Sequence, residues 1–285
     1  MSTQTAGSNG AAVVRLLADG GVERASRPLA AEVPVSLTYN GIAHVVMMCT
    51  PQDMEDFAIG FSLAEGIVES PAELLGVEVR EVASGLLVRV DIPPARSEQL
   101  IGRRRGLVGQ TGCGICGVTE LEHAIRAVRT VPPPPVIAPQ AVFRALEALS
   151  DHQPLNRATG AVHAAAFADA EGNILLARED VGRHNALDKL VGAMAREGRN
   201  AASGFAVMTS RCSFELVQKC AGAGIPTLVT VSAPTDLAAD LARRAGLTLI
   251  ALARRDSALV LSDPYDLFGQ QAEPPLAAPA TRPQA

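Results

Sequence analysis

Between residues 161 and 261 the chain alternates short apolar runs with amphipathic stretches, and few folds accept that order. Residues 161–168 and 174–178 read as strands joined by the turn Glu171-Gly172-Asn173. A helix is expected over 185–196, a strand over 205–209, a helix over 214–223, a strand over 227–231 and a helix over 234–245. Two further strands, 247–253 and 258–261, close the series. Strands apolar along their whole length need cover on both faces, and intervening helices supply it through right-handed crossovers. The expected class is α/β for this half and α+β for the whole chain. Only 3% of residues are aromatic and Trp is absent, against 48% hydrophobic, so the core must be aliphatic.

The first half reads differently. Residues 1–30 are Ala/Gly/Ser-rich with weak periodicity and are expected to be a mobile tail. Strands are expected over 33–37 and 42–48, because Asn40-Gly41 between them tolerates the positive φ of a tight hairpin. Thr50 is a plausible helix cap and Pro51 suits the first helical position. Met54, Phe57, Ala58 and Phe61 make one apolar stripe, and Gly66 can end the helix. Asp53, Glu55, Asp56 and Glu65 are expected on its solvated face. A strand pair follows over 77–82 and 85–92, then a turn region over 93–102 that leads to Arg103, Arg104 and Arg105. Pro132 to Pro135 cannot join a helix or a central strand and favour a stiff connector. The domain junction is therefore expected at 131–137, with an N-terminal α+β domain over 31–130 and a second domain over 138–268 opened by a helix at 139–149. Residues 269–285 are Pro/Ala-rich and are expected to be disordered.

Charge and cysteine usage narrow the classes further. A net charge of −5 gives no global drive toward nucleic acid or an anionic membrane. No apolar run approaches a membrane span, and residues 1–10 lack an apolar signal core. Five cysteines make a closed disulfide framework improbable, so a cytoplasmic, reducing setting is expected.

Cys113 and Cys116 form a Cys-x-x-Cys pair with Gly112, Gly114 and Gly117 around it. Little in that loop, 111–117, can pack into a core. Thr119-Glu120-Leu121-Glu122 fits the start of a helix, and a helix N-terminus beside a thiol favours the nucleophilic thiolate. The nearby arginines add to that effect or stay solvated. A structural zinc site needs four ligands, whereas this pair supplies two and no second pair exists, so no metal is expected. Dithiol redox chemistry shares the spacing.

In a sheet of this kind, ligand sites gather at strand ends. Three ends are rich in polar groups: 179–185 with Arg183, His184 and Asn185; 209–213 with Ser210, Arg211 and Cys212; and 231–235 with Ser232. Hydroxyls, arginines and the N–H groups of helix starts suit phosphate. Against this stands the plain reading of capped surface loops, and His163 reads as a core histidine.

These stretches together resemble the FdhD/NarQ family of formate dehydrogenase accessory sulfurtransferases. The resemblance rests on Thr50-Pro51 with Asp53 to Asp56, on Cys113 to Gly117, on Thr159 to Ala165 and on Glu179 to Lys189. Ser213 to Lys219, Gly224-Ile225-Pro226 and Ser232 to Thr235 extend it, so it covers about residues 30 to 265. It implies a cytidine-deaminase-like three-layer C-terminal domain, a smaller N-terminal α+β domain and a homodimer. It further implies that a cysteine desulfurase loads sulfur on Cys113 as a persulfide, with Cys116 assisting or resolving. The implied acceptor is the molybdenum or tungsten bis(molybdopterin guanine dinucleotide) cofactor, before its insertion into the client formate dehydrogenase. The implied cofactor contact is Leu252-Ala253-Arg254-Arg255-Asp256-Ser257, with Arg183, His184, Asn185, Ser210, Arg211 and Ser232 as further candidates. This chain departs from the family in lacking an aromatic near Leu252 and a glycine near Arg255, and in carrying a third thiol at Cys212. His163 is followed by Ala164-Ala165, so the His-x-Glu of a zinc deaminase is missing. Two rival readings are a non-covalent cofactor chaperone and a dithiol oxidoreductase.

Overall fold

The computed structural model of the chain describes residues 5–108 and 129–269. Its first element departs from the expected tail over 1–30: β1 (Ser8–Leu16) and β2 (Val22–Ala30) form a separate antiparallel ribbon. Gly20, at φ 90°, makes the turn between them, and the Asp19 carboxylate accepts the Gly21 N–H. The periodicity is weak because neither face covers a core; Val14, Leu16 and Val22 are exposed. Arg27 ties the ribbon to the second half by donating to the Thr159 carbonyl.

The hairpin at Asn40-Gly41 forms as its residues demand, with φ of 48° and 79°. It joins β3 (Val33–Tyr39) to β4 (Ile42–Cys49), and with β5 (Gly76–Val82) and β6 (Gly85–Asp91) they make a sheet ordered β4-β3-β6-β5. The Asn40 side chain also bonds both backbone groups of Ile92, fixing the end of β6 to the turn. Helix α1 (Met54–Ala64) lays Phe57 and Phe61 on Val35, Leu37, Val88 and Val90. Residues 93–102, expected as a turn, instead open α2 (Pro94–Val108). Pro94 suits a first helical position, and Arg96 is held by Glu69 and Glu73.

The second half is a mixed sheet between helical layers. Its elements are α3 (Pro139–Ala148), α4 (Pro154–Thr159), β7 (His163–Asp169), β8 (Ile174–Asp180), α5 (Arg183–Arg196) and β9 (Gly204–Met208). Then come α6 (Phe214–Gly222), β10 (Thr227–Thr230), α7 (Asp236–Ala245), β11 (Thr248–Ala251) and β12 (Leu259–Ser262). The strand order is β12-β11-β10-β9-β7-β8, with β9, β10 and β11 parallel and the outer pairings antiparallel. Phe167, Met208, Leu228 and Leu249 pack with Leu187, Leu190, Leu216 and Leu241 of α5, α6 and α7. The opposite face, with Phe205, Val207, Val229 and Ile250, packs on Ala141, Val142 and Ala145 of α3. The fully apolar strands are thus covered on both sides, as their composition requires.

Residues 131–137, expected as a connector, are pinned at both ends to this half. Val131 is buried and donates its N–H to the Ala245 carbonyl, and Ile137 is buried under the sheet. The proline run is stiff, but its apolar ends give it a surface to lie on.

The two halves meet where α1 crosses α5. A Cβ added to Gly60 would lie 1.7 Å from the Asp188 carbonyl oxygen, and one on Gly192 would lie 1.8 Å from that of Asp56. Only glycine permits that approach. The acidic face of α1, expected in solvent, meets cations of the second half instead. Asp56 is 1% exposed and bonds Arg178 and Arg196, each at 2.8 Å. Glu65 joins Asp188 around Lys219, at 3.0 and 2.8 Å. Asp53 and Glu55 make looser pairs with Arg178 and Arg196, at 3.7 and 3.4 Å.

Candidate functional site

The sheet register brings the polar stretches to one edge. His163 at the start of β7 faces Asp180 at the end of β8, and Ala165 faces Met208 near the end of β9. Thr230 pairs with Met208, and Ala251 with Leu259 at the start of β12. Stretches 180–184, 209–213, 231–235 and 252–257 therefore leave the sheet side by side. Backbone bonds stitch them together: Leu252 donates to the Ser232 carbonyl, Ala253 to Thr230, and Cys212 and Pro234 form a parallel bridge. The Thr209 hydroxyl receives the Ala164 N–H at 2.9 Å and ties β9 to β7.

Several candidates present their side chains at this edge. Arg211, Arg254, Arg255, Asp256 and Ser257 are exposed, and Arg183 and His184 are half-buried. Arg183, Arg211, Arg254 and Arg255 have no carboxylate partner among the described residues, and the Arg183 Nε is buried without a hydrogen bond. Helices α5 and α6 begin here with no side-chain cap bond from Gly182 or Ser213, so their first N–H groups remain available. Leu252 holds a φ of 50°, a strained backbone for a leucine, and so turns the segment that carries Arg254 and Arg255. Arg254 N–H to the Ser257 carbonyl, 2.7 Å, closes that turn.

Other candidates serve the frame. Ser210 is 2% exposed and its hydroxyl donates to the Arg211 carbonyl. Ser232 receives the Thr230 hydroxyl and the Leu252 N–H on its carbonyl. Ala253 is buried. Asn185 turns inward, its amide nitrogen donating to the Met48 carbonyl and Asp180 Oδ1. It belongs to a buried polar bolt between the halves that the sequence reading missed. Asp180 and Lys189 pair at 2.6 Å, both fully buried. Asp180 also accepts the N–H groups of Thr50 and Gly182, and Lys189 donates to the carbonyls of Thr50 and Glu179. This explains why Thr50 does not cap α1: its hydroxyl accepts the Val181 N–H, and the helix starts later, at Met54, after Asp53 at φ 52°. Nearby, the Glu179 carboxylate accepts the Leu155 and Asn156 N–H groups. The signal was the run Glu179-Asp180 with Lys189 nine to ten residues on, too charged for a buried segment unless paired.

Electrostatics divide the histidines and thiols. Burial lowers the pKa of His163, helped by the Arg183 charge, so the ring is neutral. Burial also lowers that of His184, with Glu215 opposing and Arg183 and Lys219 reinforcing. Burial pushes the Cys212 thiol up to about 12, and the side chain is fully enclosed in the core beneath α6 and α7. Cys212 is therefore packing rather than a further reactive thiol. Cys49 is likewise raised to about 12, first by burial and then by Asp180. Cys113 and Cys116 lie outside the described residues, which join the segment carrying them at Val108 and Arg129. Among the described residues no group of three or more His, Cys, Asp or Glu is placed to hold a metal ion.

A family model for FdhD/NarQ matches residues 30–267, the whole span from β3 to the end of the second half. The chain belongs to the FdhD/NarQ family. Among curated FdhD proteins, each named "Sulfur carrier protein FdhD", that of Variovorax paradoxus is 49% identical over 244 residues, 86% of this chain and 88% of that protein. That of Xanthomonas euvesicatoria is 51% identical over 239 residues, 84% and 85% of the two. That of Bordetella petrii is 48% identical over 260 residues, 90% and 93%. A crystal structure of a candidate formate dehydrogenase accessory protein from Desulfotalea psychrophila superimposes with a TM-score of 0.68 at 24% identity, covering 90% of this chain and 97% of that one. The fold of this chain is thus the mixed α/β architecture of an FdhD/NarQ protein. No helix among the described residues is long and apolar enough to cross a membrane.

Proposed function

We propose that this protein is a sulfur carrier that serves formate dehydrogenase. It would receive sulfur from a cysteine desulfurase in the cytoplasm, working as a homodimer. Three observations support the reading: the family match, the names of the close relatives and the Cys113-Gly114-Ile115-Cys116 pair within the matched span. In the first step the Cys113 thiolate attacks the terminal sulfur of the donor's persulfide. A new S–S bond forms at Cys113, and the donor's thiolate leaves. Two-electron exchange of this kind needs no external oxidant. In the second step an electron-pair donor on the acceptor attacks the terminal sulfur: the new bond to sulfur forms with that pair, the S–S bond breaks, and Cys113 leaves as the thiolate. Cys116 assists or resolves.

The acceptor proposed is the molybdenum bis(molybdopterin guanine dinucleotide) cofactor, written here as substrate. The residues present fit a ligand rich in phosphate. The observation that carries this half is the set of arginines 183, 211, 254 and 255, which at one edge, beside two uncapped helix starts, have no carboxylate partner among the described residues. Arg254 and Arg255 would hold diphosphate oxygens from the 252–257 turn, and Arg183 from the start of α5.

Incubation with a desulfurase and cysteine, followed by intact-mass measurement, tests the proposal. The expected result is a gain of one sulfur atom, removed by reductant and missing in Cys113→Ala. Unchanged support of formate dehydrogenase by Cys113→Ala would favour a non-covalent chaperone. An equal need for Cys116, with a cycling Cys113–Cys116 disulfide, would favour a dithiol oxidoreductase.

A further inference from the structure

We infer that Glu215 is a positioning residue that locks His184 as the Nε2–H tautomer, leaving Nδ1 as a hydrogen-bond acceptor for an N–H or O–H group of the bound ligand. The inference rests on the proposed reading of this edge as the ligand site.

The argument begins with which atoms can donate. His184 Nε2 lies 2.8 Å from Glu215 Oε2 and 3.3 Å from the Ser213 hydroxyl. A carboxylate oxygen only accepts, so the shared proton belongs on Nε2. Burial, the start of α5 and the Arg183 charge all disfavour a second proton on the ring; Glu215 and Glu65 oppose them, and Lys219 adds to them. The neutral ring then carries a lone pair on Nδ1. That atom makes no hydrogen bond among the described residues, and it is not among the buried polar atoms that lack one.

Helix register keeps Glu215 in place. His184 and Asp188 stand one turn apart on α5, and Glu215 and Lys219 stand one turn apart on α6. The two pairs form successive rungs, His184 with Glu215 and Asp188 with Lys219. The lower rung is buried and further held by Glu65 from α1. The buried rung fixes the spacing of the two helices, and so holds the Glu215 backbone opposite His184.

The chemical consequence is selectivity. Most other groups at the edge donate, namely the four arginines, the helix-start N–H groups and the Ser213 hydroxyl; the exposed Asp256 carboxylate on the 252–257 turn is a charged exception that repels phosphate. Donors bind phosphate but are blind to what it is attached to. A fixed acceptor next to them reads an N–H, such as those on a guanine or pterin ring.

Long-range proton–nitrogen correlation spectra of the labelled full chain near neutral pH test the lock directly. In the native protein His184 should show a protonated Nε2 and a bare Nδ1. Glu215→Leu should spread the ring over both tautomers, and Glu215→Gln, whose amide oxygen still accepts, should restore the native signature. A protonated Nδ1 in the native protein would overturn the inference. Calorimetric titration with guanosine diphosphate and with inorganic pyrophosphate tests the acceptor. His184→Leu should weaken guanosine diphosphate roughly tenfold, the value of about one hydrogen bond. Pyrophosphate binding should stay unchanged, and His184→Asn should recover part of the loss. Equal weakening of both probes, or of neither, defeats the acceptor role while leaving the site reading intact. Native protein that binds neither probe defeats the site reading and the acceptor role together.

Discussion

Replacing Lys189 by Met should show how firmly the two halves are joined. Lys189 and Asp180 are both fully buried, 2.6 Å apart, and methionine fills nearly the volume of the lysine stem. What the variant leaves behind is the Asp180 carboxylate with no counter-charge. Removing one member of a buried pair costs about 3–5 kcal/mol. Asp180 keeps the donors Thr50 N–H, Gly182 N–H and Asn185 Nδ2, at 3.0, 2.8 and 3.0 Å, so the lower part of that range applies, about 3 kcal/mol. A domain pair of this size loses roughly 2–4 °C of Tm per kcal/mol, so the melting point should fall by about 6–12 °C. Urea denaturation and scanning calorimetry measure both quantities. Asp180→Asn with Lys189→Met removes both charges together and should cost well below the sum of the single changes, with coupling of about 1–3 kcal/mol. A loss below about 1 kcal/mol for Lys189→Met, or strict additivity in the double variant, would refute the claim that this pair bolts the halves.

Two further outcomes follow from the same interface. Gly192→Ala gains about 1 kcal/mol in helix propensity, yet its Cβ would stand 1.8 Å from the Asp56 carbonyl oxygen. Separating the helices should give a net loss of about 2 kcal/mol or more in urea titrations, and a stabilised variant would contradict the crossing. Burial raises the Asp188 carboxyl to about 6, more than Lys219 lowers it. Because the folded state then holds the proton more tightly than the unfolded chain, the stabilisation is complete below about pH 4 and lost as the pH rises through about 6. The stability difference between native protein and Asp188→Asn should therefore shrink across that window, and a difference that grows with pH would reverse the assignment.

The strand and helix rhythm of the second half was legible because its strands are apolar throughout and its helices are punctuated by Gly198, Gly224 and Gly246, all at positive φ. The hairpin at Asn40-Gly41 was legible for the same local reason. The ribbon over residues 8–30 was not, since exposed strands leave no alternation to read. Nor was the fate of Asp56: an acid on a helix face looks solvated until Arg178, more than a hundred residues on, is known to lie against it. At the candidate site the positions converged as their strand-end placement implied, but their roles divided. Arg183, His184 and the 252–257 turn present at the edge, whereas Asn185 and Ser210 turn inward, and that choice depends on partners distant in sequence.

The distribution of arginine explains why the edge stands out. The interface absorbs Arg178 and Arg196 with Asp56, and Lys189 and Lys219 with Asp180 and Asp188, so each of these cations has its acid. With thirty acidic residues to twenty-five basic ones, the chain has carboxylates to spare. Yet Arg183, Arg211, Arg254 and Arg255, on loops that leave the same sheet edge, have no carboxylate partner among the described residues. Like charges gathered at one edge repel one another, and pairing them internally would have required only nearby acids. Leaving them unpaired makes sense when the missing anion comes from outside, and the strained backbone at Leu252, which carries two of them, is a cost of the same kind. On the proposed reading the bolt at Asp180 serves the ligand edge as well as stability, because it fixes Gly182, and through it the start of α5, from which Arg183 would meet that anion.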